Sequence, residues 1–273
     1  MLIFWIMIAL SALGAGLLAP RLMDGGWAVL VGLGLFAGFF LALLVLFFLV
    51  IWFFSLFVDM SKPQEKYSRF YGFLADQFIA VGLLLSGVRI HTKGLDMVPR
   101  DRVFLLVSNH VADLDPVLFI HKLPWARLGF VSKRENEKIP IFSRYMHRIQ
   151  CQSINRENDR EALKTILRTA EILREGDHSM GVFPEGYESK TGELLPFRNG
   201  AFKIAQRAKV PIVVAVLRGT KQMMKNMFRR RSDVDLEILG VVPAEDWEGA
   251  STREIGDRIH VMMEQALERK GAV

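Results

Sequence analysis

The chain has 273 residues, of which 51% are hydrophobic, and a formal net charge of +6 at pH 7. This apolar content exceeds that of an ordinary soluble domain. The single cysteine, Cys151, excludes an intrachain disulfide and agrees with a reducing compartment. We interpret Cys151 as a small buried side chain rather than a reactive thiol. The sequence contains no P-loop, dinucleotide fingerprint or zinc-ligand pattern.

The excess of apolar residues lies at the N-terminus. Residues 1–19 and 25–58 contain no charged side chain, and a helix from either stretch can cross a hydrocarbon core about 30 Å thick. We therefore predict a two-helix hydrophobic membrane anchor over residues 1–60. A signal peptide is a weaker interpretation, because the first stretch lacks a basic start. The helices either cross as a hairpin or lie in one leaflet, and the sequence slightly favours crossing.

The distribution of charge predicts the orientation of the chain. Lys62, Lys66 and Arg69 follow the second apolar stretch, whereas the turn between the stretches has Arg21 offset by Asp24. The positive-inside rule then places the C-terminal part on the cytoplasmic side of the inner (cytoplasmic) membrane.

The net basic charge has more than one interpretation. Behind a membrane anchor, attraction to anionic headgroups or to phosphate-bearing substrates is more economical than nucleic-acid binding. The run Arg229-Arg230-Arg231 either touches the membrane surface or forms a solvated loop. We therefore expect a lipid membrane as a partner and no nucleic acid.

The pattern of apolar residues changes twice after the anchor. Apolar residues recur at helical spacing over residues 66–86, and we predict an amphipathic connecting helix within residues 61–87. From residue 88 onward, short apolar runs alternate with helical segments, which is typical of an α/β layered domain. We assign residues 88–273 to this domain.

A histidine and an aspartate form the most informative pair in the sequence. Ser108-Asn109-His110 follows the apolar run 103–107, which we predict to be a buried strand. Asp115-Pro116 predicts a helix start, with Asp115 as N-cap. On the turn between strand and helix the two side chains can approach each other. An imidazole held by a carboxylate accepts a proton from a hydroxyl group.

Three further blocks follow in order. They are Ser153-Ile154-Asn155-Arg156, Phe183-Pro184-Glu185-Gly186 and Val210-Pro211-Ile212-Val213, the last preceded by Leu195-Pro196-Phe197-Arg198-Asn199-Gly200. Together with Asn109-His110 and Asp115, they resemble the glycerolipid acyltransferase family, which includes the lysophosphatidic acid acyltransferases. The resemblance covers about residues 88–216. It implies a mixed α/β acyltransferase domain that follows the hydrophobic helical anchor.

The resemblance also implies the chemistry. An acyl group passes from a thioester donor, either acyl-CoA or acyl carrier protein, to a lysophospholipid hydroxyl, with phosphatidic acid as the expected product. His110 is the expected general base and Asp115 its partner. The expected substrate-binding residues are Asn109, Lys133, Arg156, Glu185, Gly186 and Arg198. Lys133 and the backbone N–H groups near Gly186 are candidates for stabilising the oxyanion. No cofactor and no metal site are expected.

The sequence departs from the family pattern at one position. Tyr187-Glu188-Ser189 stands where the family commonly has Thr-Arg-Ser, and Glu188 would repel an acceptor phosphate. Another lysolipid acceptor, and a non-catalytic lipid-binding protein, therefore stay open as alternatives. Acyl-chain length and the choice of donor are not determined by these motifs.

Overall fold

The computed structural model describes residues 1–63 and 66–269. Its first two helices, α1 (Leu2–Leu22) and α2 (Gly26–Ser55), pack against each other as a hairpin with a short turn. Both are long and apolar enough to cross a membrane. Many of their large side chains, such as Leu33 and Trp52, are exposed. Exposed apolar surface of this extent is compatible with association with a membrane.

The predicted connecting helix is α3 (Arg69–Leu85), which joins the hairpin to the rest of the molecule. One side of α3 contacts α1 and α2, and its other side packs against buried apolar side chains on one face of the central sheet. The hydroxyl of Tyr71 donates a hydrogen bond to the carbonyl of Phe54 at 3.0 Å. The end of α2 is thereby fixed to α3 by both packing and hydrogen bonding.

Among the described residues, seven strands form one sheet in the order β1-β7-β6-β2-β5-β3-β4, in which β6 and β7 pair in antiparallel fashion and the other neighbours are parallel. The strands are β1 (Val88–Lys93), β2 (Leu105–Ser108), β3 (Gly129–Lys133), β4 (Gln152–Ile154), β5 (Met180–Val182), β6 (Ile212–Arg218) and β7 (Ser232–Val242). Strands β2 to β6 are mutually parallel, so their carboxyl ends share one edge. Loops that leave this edge converge, which is where α/β sheets bind ligands.

Helices cover both faces of the sheet. They are α4 (Asp115–Lys122), α5 (Phe142–Arg148), α6 (Asp159–Glu175), α7 (Lys203–Ala208), α8 (Thr220–Asn226) and α9 (Thr252–Glu268). One buried cluster joins the sheet to α6, α7 and α9, and a second joins it to α3, α4 and α8. The central strands carry side chains into both clusters and are therefore continuous apolar runs.

Side chains cap the starts of two helices. The side chain of Ser251 and the side chain of Glu254 form a reciprocal capping box at the start of α9. At the start of α6, the Asn158 side chain accepts the N–H groups of Arg160 and Glu161.

The mixed α/β fold class predicted from the sequence is confirmed. The predicted extent of the last segment, residues 88–273, stays a prediction, and its final residues 270–273 lie outside the described part of the chain.

Candidate active site

His110 and Asp115 meet in the turn that leaves the carboxyl end of β2. Nδ1 of His110 lies 3.0 Å from Oδ2 of Asp115, and the same oxygen accepts the backbone N–H groups of Val111 and Ala112 at 2.6 and 2.9 Å. Asp115 is fully buried, whereas the His110 side chain is 12% exposed. When Nδ1 carries the proton, Nε2 is left free to accept one.

The predicted N-cap role of Asp115 is wrong. Asp115 is the first residue of α4, and its carboxylate makes no capping bond to that helix. The carboxylate turns back toward the preceding loop because two backbone N–H groups and the imidazole offer three donors there. This reversal brings two side chains together that would lie on different faces of one helix.

The His110 ring stacks on the ring of Phe183, with centroids 4.3 Å apart and planes inclined by 14°. Phe183 follows β5, the neighbour of β2 in the sheet. The aromatic contact and the bond to Asp115 fix the imidazole from two directions. Phe183 is a site residue that was not predicted from the sequence, although it belongs to the same block as Glu185.

Glu185 is buried behind the wall of the site, where it joins two loops. Oε1 accepts the backbone N–H of His110 at 2.7 Å, and Oε2 accepts the backbone N–H of Leu195 at 2.8 Å. Burial raises the pKa of this carboxyl, and the two N–H donors oppose that shift. Glu185 therefore holds the loop of His110 in place through the backbone, whereas Asp115 contacts the imidazole and the next two N–H groups.

Gly186 turns the chain after Glu185 with φ of +77°, where a Cβ would lie 2.9 Å from Arg198. Its N–H donates to the carbonyl of Phe183 at 3.1 Å. That N–H is used within the turn, and the role of the backbone N–H groups near Gly186 in stabilising the oxyanion stays a prediction. Glycine is required here for the backbone conformation and for the close approach of Arg198.

Asn109 is buried within the sheet. Its amide donates to the carbonyl of Leu217 at 3.0 Å and accepts the N–H of Leu217 at 2.8 Å. The side chain thereby joins the ends of β2 and β6. Asn109 stands outside the residues that line the cavity, so its contacts here are structural.

Three charged side chains surround the exposed edge of His110. Nζ of Lys133 lies 2.6 Å from Asp113 and 3.5 Å from Oε1 of Glu188, and that oxygen lies 4.0 Å from Nε2 of His110. The hydrogen bond with Lys133 lowers the pKa of Asp113 and raises the pKa of Lys133. Burial, followed by the adjacent Asp113 carboxylate, raises the pKa of Glu188. The group carries two carboxylates and one ammonium.

Arg156 and Arg198 both contact one aromatic ring, that of Tyr187. Their guanidinium carbons lie 5.2 and 5.0 Å from the ring centroid of Tyr187. Burial lowers the pKa of Arg156. Within residues 1–63 and 66–269, Arg156 has no carboxylate within 4.0 Å. Both arginines line the cavity, and both make a cation–π contact with the Tyr187 ring.

These groups surround a cavity of about 540 Å³. Of the predicted site residues, His110, Lys133, Arg156, Gly186 and Arg198 line it, whereas Asn109, Asp115 and Glu185 do not. Away from His110 the wall is largely apolar, formed by Val131, Ile154, Ala162, Leu163, Ile166, Val182, Ala201 and Ile204. Polar groups at one end and an apolar wall at the other suit an amphiphilic ligand. Across the described residues, no group of three or more His, Cys, Asp or Glu side chains is placed to hold a metal ion.

The fold is a mixed α/β sheet flanked by helices, and a histidine–carboxylate pair lies at the carboxyl edge of its parallel strands. Residues 89–218 match the family model described as Acyltransferase. This stretch contains the His110–Asp115 turn and the Phe183–Gly186 block. It also contains all of β2 to β6 and all but the first residue of β1.

The comparisons with known proteins agree on one family. A 1-acyl-sn-glycerol-3-phosphate acyltransferase from Cocos nucifera is 30% identical over 160 residues, covering 58% of this chain and 52% of that protein. The alpha form from Homo sapiens is 28% identical over 181 residues, covering 66% and 64%. The crystal structure of the 1-acyl-sn-glycerophosphate (LPA) acyltransferase PlsC from Thermotoga maritima has a TM-score of 0.65 at 23% identity, covering 82% and 88%.

These findings show that residues 89–218 are similar to the acyltransferase family, and the resemblance predicted from the motifs is confirmed. The chain spans between about half and two thirds of the length of the curated relatives it matches. The structural likeness, at 23% identity, concerns the fold.

Proposed function

We propose that this protein is a membrane-associated acyltransferase that transfers a fatty acyl group from a thioester to the hydroxyl of a lysophospholipid. Lysophosphatidic acid is the proposed acceptor and phosphatidic acid the product. The observation that carries this proposal is the His110–Asp115 pair, with Nδ1 and Oδ2 3.0 Å apart, at the polar end of a largely apolar cavity. The curated relatives named as 1-acyl-sn-glycerol-3-phosphate acyltransferases support it.

The reaction needs one base and no covalent enzyme intermediate. Nε2 of His110 takes the proton of the acceptor hydroxyl as its oxygen bonds to the thioester carbonyl carbon. The tetrahedral intermediate then collapses, the C–S bond breaks, and the imidazolium returns the proton to the leaving thiolate. Asp115 holds the attacking tautomer and stabilises the imidazolium throughout. The products are an ester and a free thiol.

Lys133 is the proposed partner of the oxyanion. An ammonium has three donors, and the contacts with Asp113 and Glu188 use two of them. The third is available to the developing negative charge, which positioned donors stabilise in a site shielded from water. The carboxylates fix the position of the ammonium before substrate arrives.

The two arginines beside Tyr187 are the proposed site for phosphate. Arg156 and Arg198 line the cavity, and a guanidinium binds phosphate through two parallel hydrogen bonds. The phosphate belongs either to the acceptor or to a coenzyme A donor. An acyl carrier protein donor is a further alternative, for which the cavity offers the same apolar wall to the acyl chain.

Glu188 favours a second candidate acceptor. Asp113, Lys133 and Glu188 together carry one net negative charge beside Nε2 of His110. A phosphate close to the reacting hydroxyl would meet this charge, whereas a lysolipid with an amine or a neutral headgroup would not. Acylation of such a lysolipid is therefore the alternative function.

Membrane association is proposed through α1 and α2, with the α/β domain on the cytoplasmic side. Their length and composition support an anchor, and the basic residues after α2 support the orientation. Both an acceptor and a product that partition into lipid are then within reach of the domain.

Thiol release from acyl-CoA by the purified full chain in detergent tests the activity. We expect release that requires lysophosphatidic acid and is lost in His110→Ala. His91→Ala is the matched control, because His91 also contacts a carboxylate, Asp233 at 2.8 Å, yet is exposed and remote from the cavity. Release in His110→Ala would contradict the proposed base. Lipid binding without any release, with acyl carrier protein donors and other lysolipids also tried, would favour a non-catalytic lipid-binding protein.

A further inference from the structure

The loop between α8 and β7 carries an exposed aromatic ring and three exposed cations. We call residues Met227–Arg231 the basic–aromatic loop. Phe228 is 69% exposed with φ of +61°, and Arg229, Arg230 and Arg231 are all exposed. In the part of the chain that the structure describes, none of these arginines has a carboxylate within 4.0 Å. The loop therefore presents unpaired positive charge beside an unburied phenyl ring.

The shape of this loop is fixed by hydrogen bonds. The N–H groups of Arg229 and Arg230 both donate to the carbonyl of Asn226, at 2.7 and 3.0 Å. The Asn226 amide donates to Ser232 Oγ at 3.0 Å and closes the base of the loop. A positive φ is unfavourable for a bulky residue such as phenylalanine. The structure thus holds the Phe228 ring outward at a conformational cost, which a hydrophobic environment would offset.

The hairpin of α1 and α2 projects beyond one end of α3. Ring contacts pair Phe54 with Phe70 at 4.8 Å and Phe48 with Phe78 at 5.8 Å, so α2 and α3 run antiparallel. From Phe48, α2 extends back to Gly26, roughly 33 Å of helix, whereas α3 continues from Phe78 to Leu85, roughly 10 Å. The hairpin therefore projects roughly 20 Å past the end of α3.

The basic–aromatic loop lies at the end of α3 from which the hairpin projects. The N–H of Ser232 donates to the carbonyl of Gly87 at 3.2 Å, and a Cβ on Gly87 would lie 3.4 Å from the Arg231 side chain. If the projecting part of the hairpin is in lipid, this loop is at the level of the headgroups.

The same end of the molecule holds the candidate active site. β1 and β7 begin there and run opposite to β2 and β6, so the carboxyl edge that bears His110 faces the same way. α8 follows β6 directly, and Lys221 on α8 donates to the carbonyl of Lys190 in the loop after Glu188. The basic–aromatic loop is thus joined to the site through one short helix.

We propose that the basic–aromatic loop is a second membrane contact, at which the three arginines bind anionic lipid headgroups and Phe228 enters the interfacial layer. The inference rests on the proposed membrane anchoring by α1 and α2. The hairpin alone leaves the whole molecule, hairpin and domain together, free to tilt relative to the bilayer. A second attachment removes that freedom and directs the cavity toward the bilayer surface. Each arginine near an anionic surface strengthens this attachment roughly fivefold.

Fluorescence quenching on the full chain in lipid nanodiscs tests the proposal. In a Cys151→Ala background, a fluorophore is placed on Phe228→Cys, on Leu33→Cys in α2, or on Arg102→Cys before β2, at the opposite edge of the sheet. Nanodiscs contain phosphatidylcholine alone or mixed with phosphatidylglycerol. The spin label is on the lipid headgroup for the Phe228→Cys and Arg102→Cys probes and on the acyl chain for the Leu33→Cys probe. We expect the Phe228→Cys probe to be quenched in the anionic nanodiscs at least about twofold more than in the neutral ones. We expect the Arg102→Cys probe to be quenched in neither.

A second measurement removes the positive charge of the basic–aromatic loop. R229Q/R230Q/R231Q should abolish the extra quenching of the Phe228→Cys probe by anionic lipid. R174Q/R253Q/R258Q removes the same charge from exposed positions elsewhere and should leave it unchanged. An unquenched Phe228→Cys probe beside a quenched Leu33→Cys probe would overturn the loop proposal and keep the anchor. If the Leu33→Cys probe is also unquenched, both are overturned. Thiol release in detergent, measured in parallel, shows that the loop variants are folded.

Discussion

Glu185 accepts a hydrogen bond from the backbone N–H of His110 at 2.7 Å, which joins two loops 75 residues apart in the chain. Its other oxygen accepts the N–H of Leu195. The imidazole is thus positioned by three neighbours. Glu185 accepts the backbone N–H of His110, Asp115 contacts Nδ1, and the Phe183 ring stacks on the imidazole. Substrate enters a site whose base is already oriented, so little of the reaction barrier is spent in ordering it.

Glu185→Gln should weaken both the fold and the activity. A glutamine amide has one acceptor oxygen, so one of the two backbone N–H groups would face an NH₂ group and lose its partner. A buried donor left without a partner costs about 1–3 kcal/mol. Denaturant unfolding in detergent measures the loss, and thiol release should fall with it. Glu193→Gln, at an exposed position in the following loop, is the control, and equal stability of the two variants would refute this account.

Asp115→Asn should leave the protein folded but slow the reaction by a factor on the order of 10³. The amide keeps one oxygen for the N–H groups of Val111 and Ala112, yet it no longer stabilises the imidazolium. The loss should appear in kcat rather than in KM, because the side chain is fully buried and does not line the cavity. Steady-state kinetics at several acceptor concentrations separates the two. A variant with unchanged kcat would remove Asp115 from the mechanism.

Glu188→Arg should raise activity on lysophosphatidic acid relative to lysolipids without a phosphate monoester by roughly tenfold, the equivalent of about 1.4 kcal/mol. The change converts the charge beside Nε2 of His110 from repulsive to attractive for phosphate. Competition between the two acceptors in one assay gives the ratio directly. Glu193→Arg introduces the same charge into the same loop away from the base. An acceptor ranking that is equal in both variants would show that Glu188 does not set acceptor choice.

His178 should make the stability of the fold depend on pH. Burial lowers the pKa of His178 to about 4, and its two ring nitrogens have no hydrogen-bond partner among the residues described. Between pH 6.5 and about 4 the unfolded chain binds a proton that the folded chain does not, so stability falls as the pH falls through this window. The contribution of neutral His178 to the free energy of unfolding is fully present above pH 6.5. About 3 kcal/mol of that free energy is lost once the pH has fallen to about 4.

Thermal unfolding in detergent as a function of pH measures this effect. His178→Phe keeps a ring beside Tyr67, whose centroid lies 5.3 Å from that of His178, and should flatten the dependence between pH 6.5 and 4. His91→Phe changes an exposed histidine and should not. A wild-type slope that persists in His178→Phe would assign the pH dependence to other groups.

The sequence by itself determined the segments that depend on local pattern. Uncharged runs long enough to cross a bilayer predicted α1 and α2. The continuous apolar run 103–107 predicted β2, because a strand buried on both faces is apolar throughout and shows no alternation. The ordered blocks around His110 and Phe183 determined the family, since each block keeps its own residues together along the chain.

Only the tertiary structure decided which distant residues meet and what they do there. Asn109 bonds Leu217, Glu185 bonds the His110 loop, and Glu188 shares Lys133 with Asp113. Their residue types predicted polar roles, but the choice between a substrate contact and a structural one depends on which partner the fold brings within hydrogen-bond distance. Parallel strands place residues far apart in sequence at one edge of the sheet, and no local pattern records that proximity.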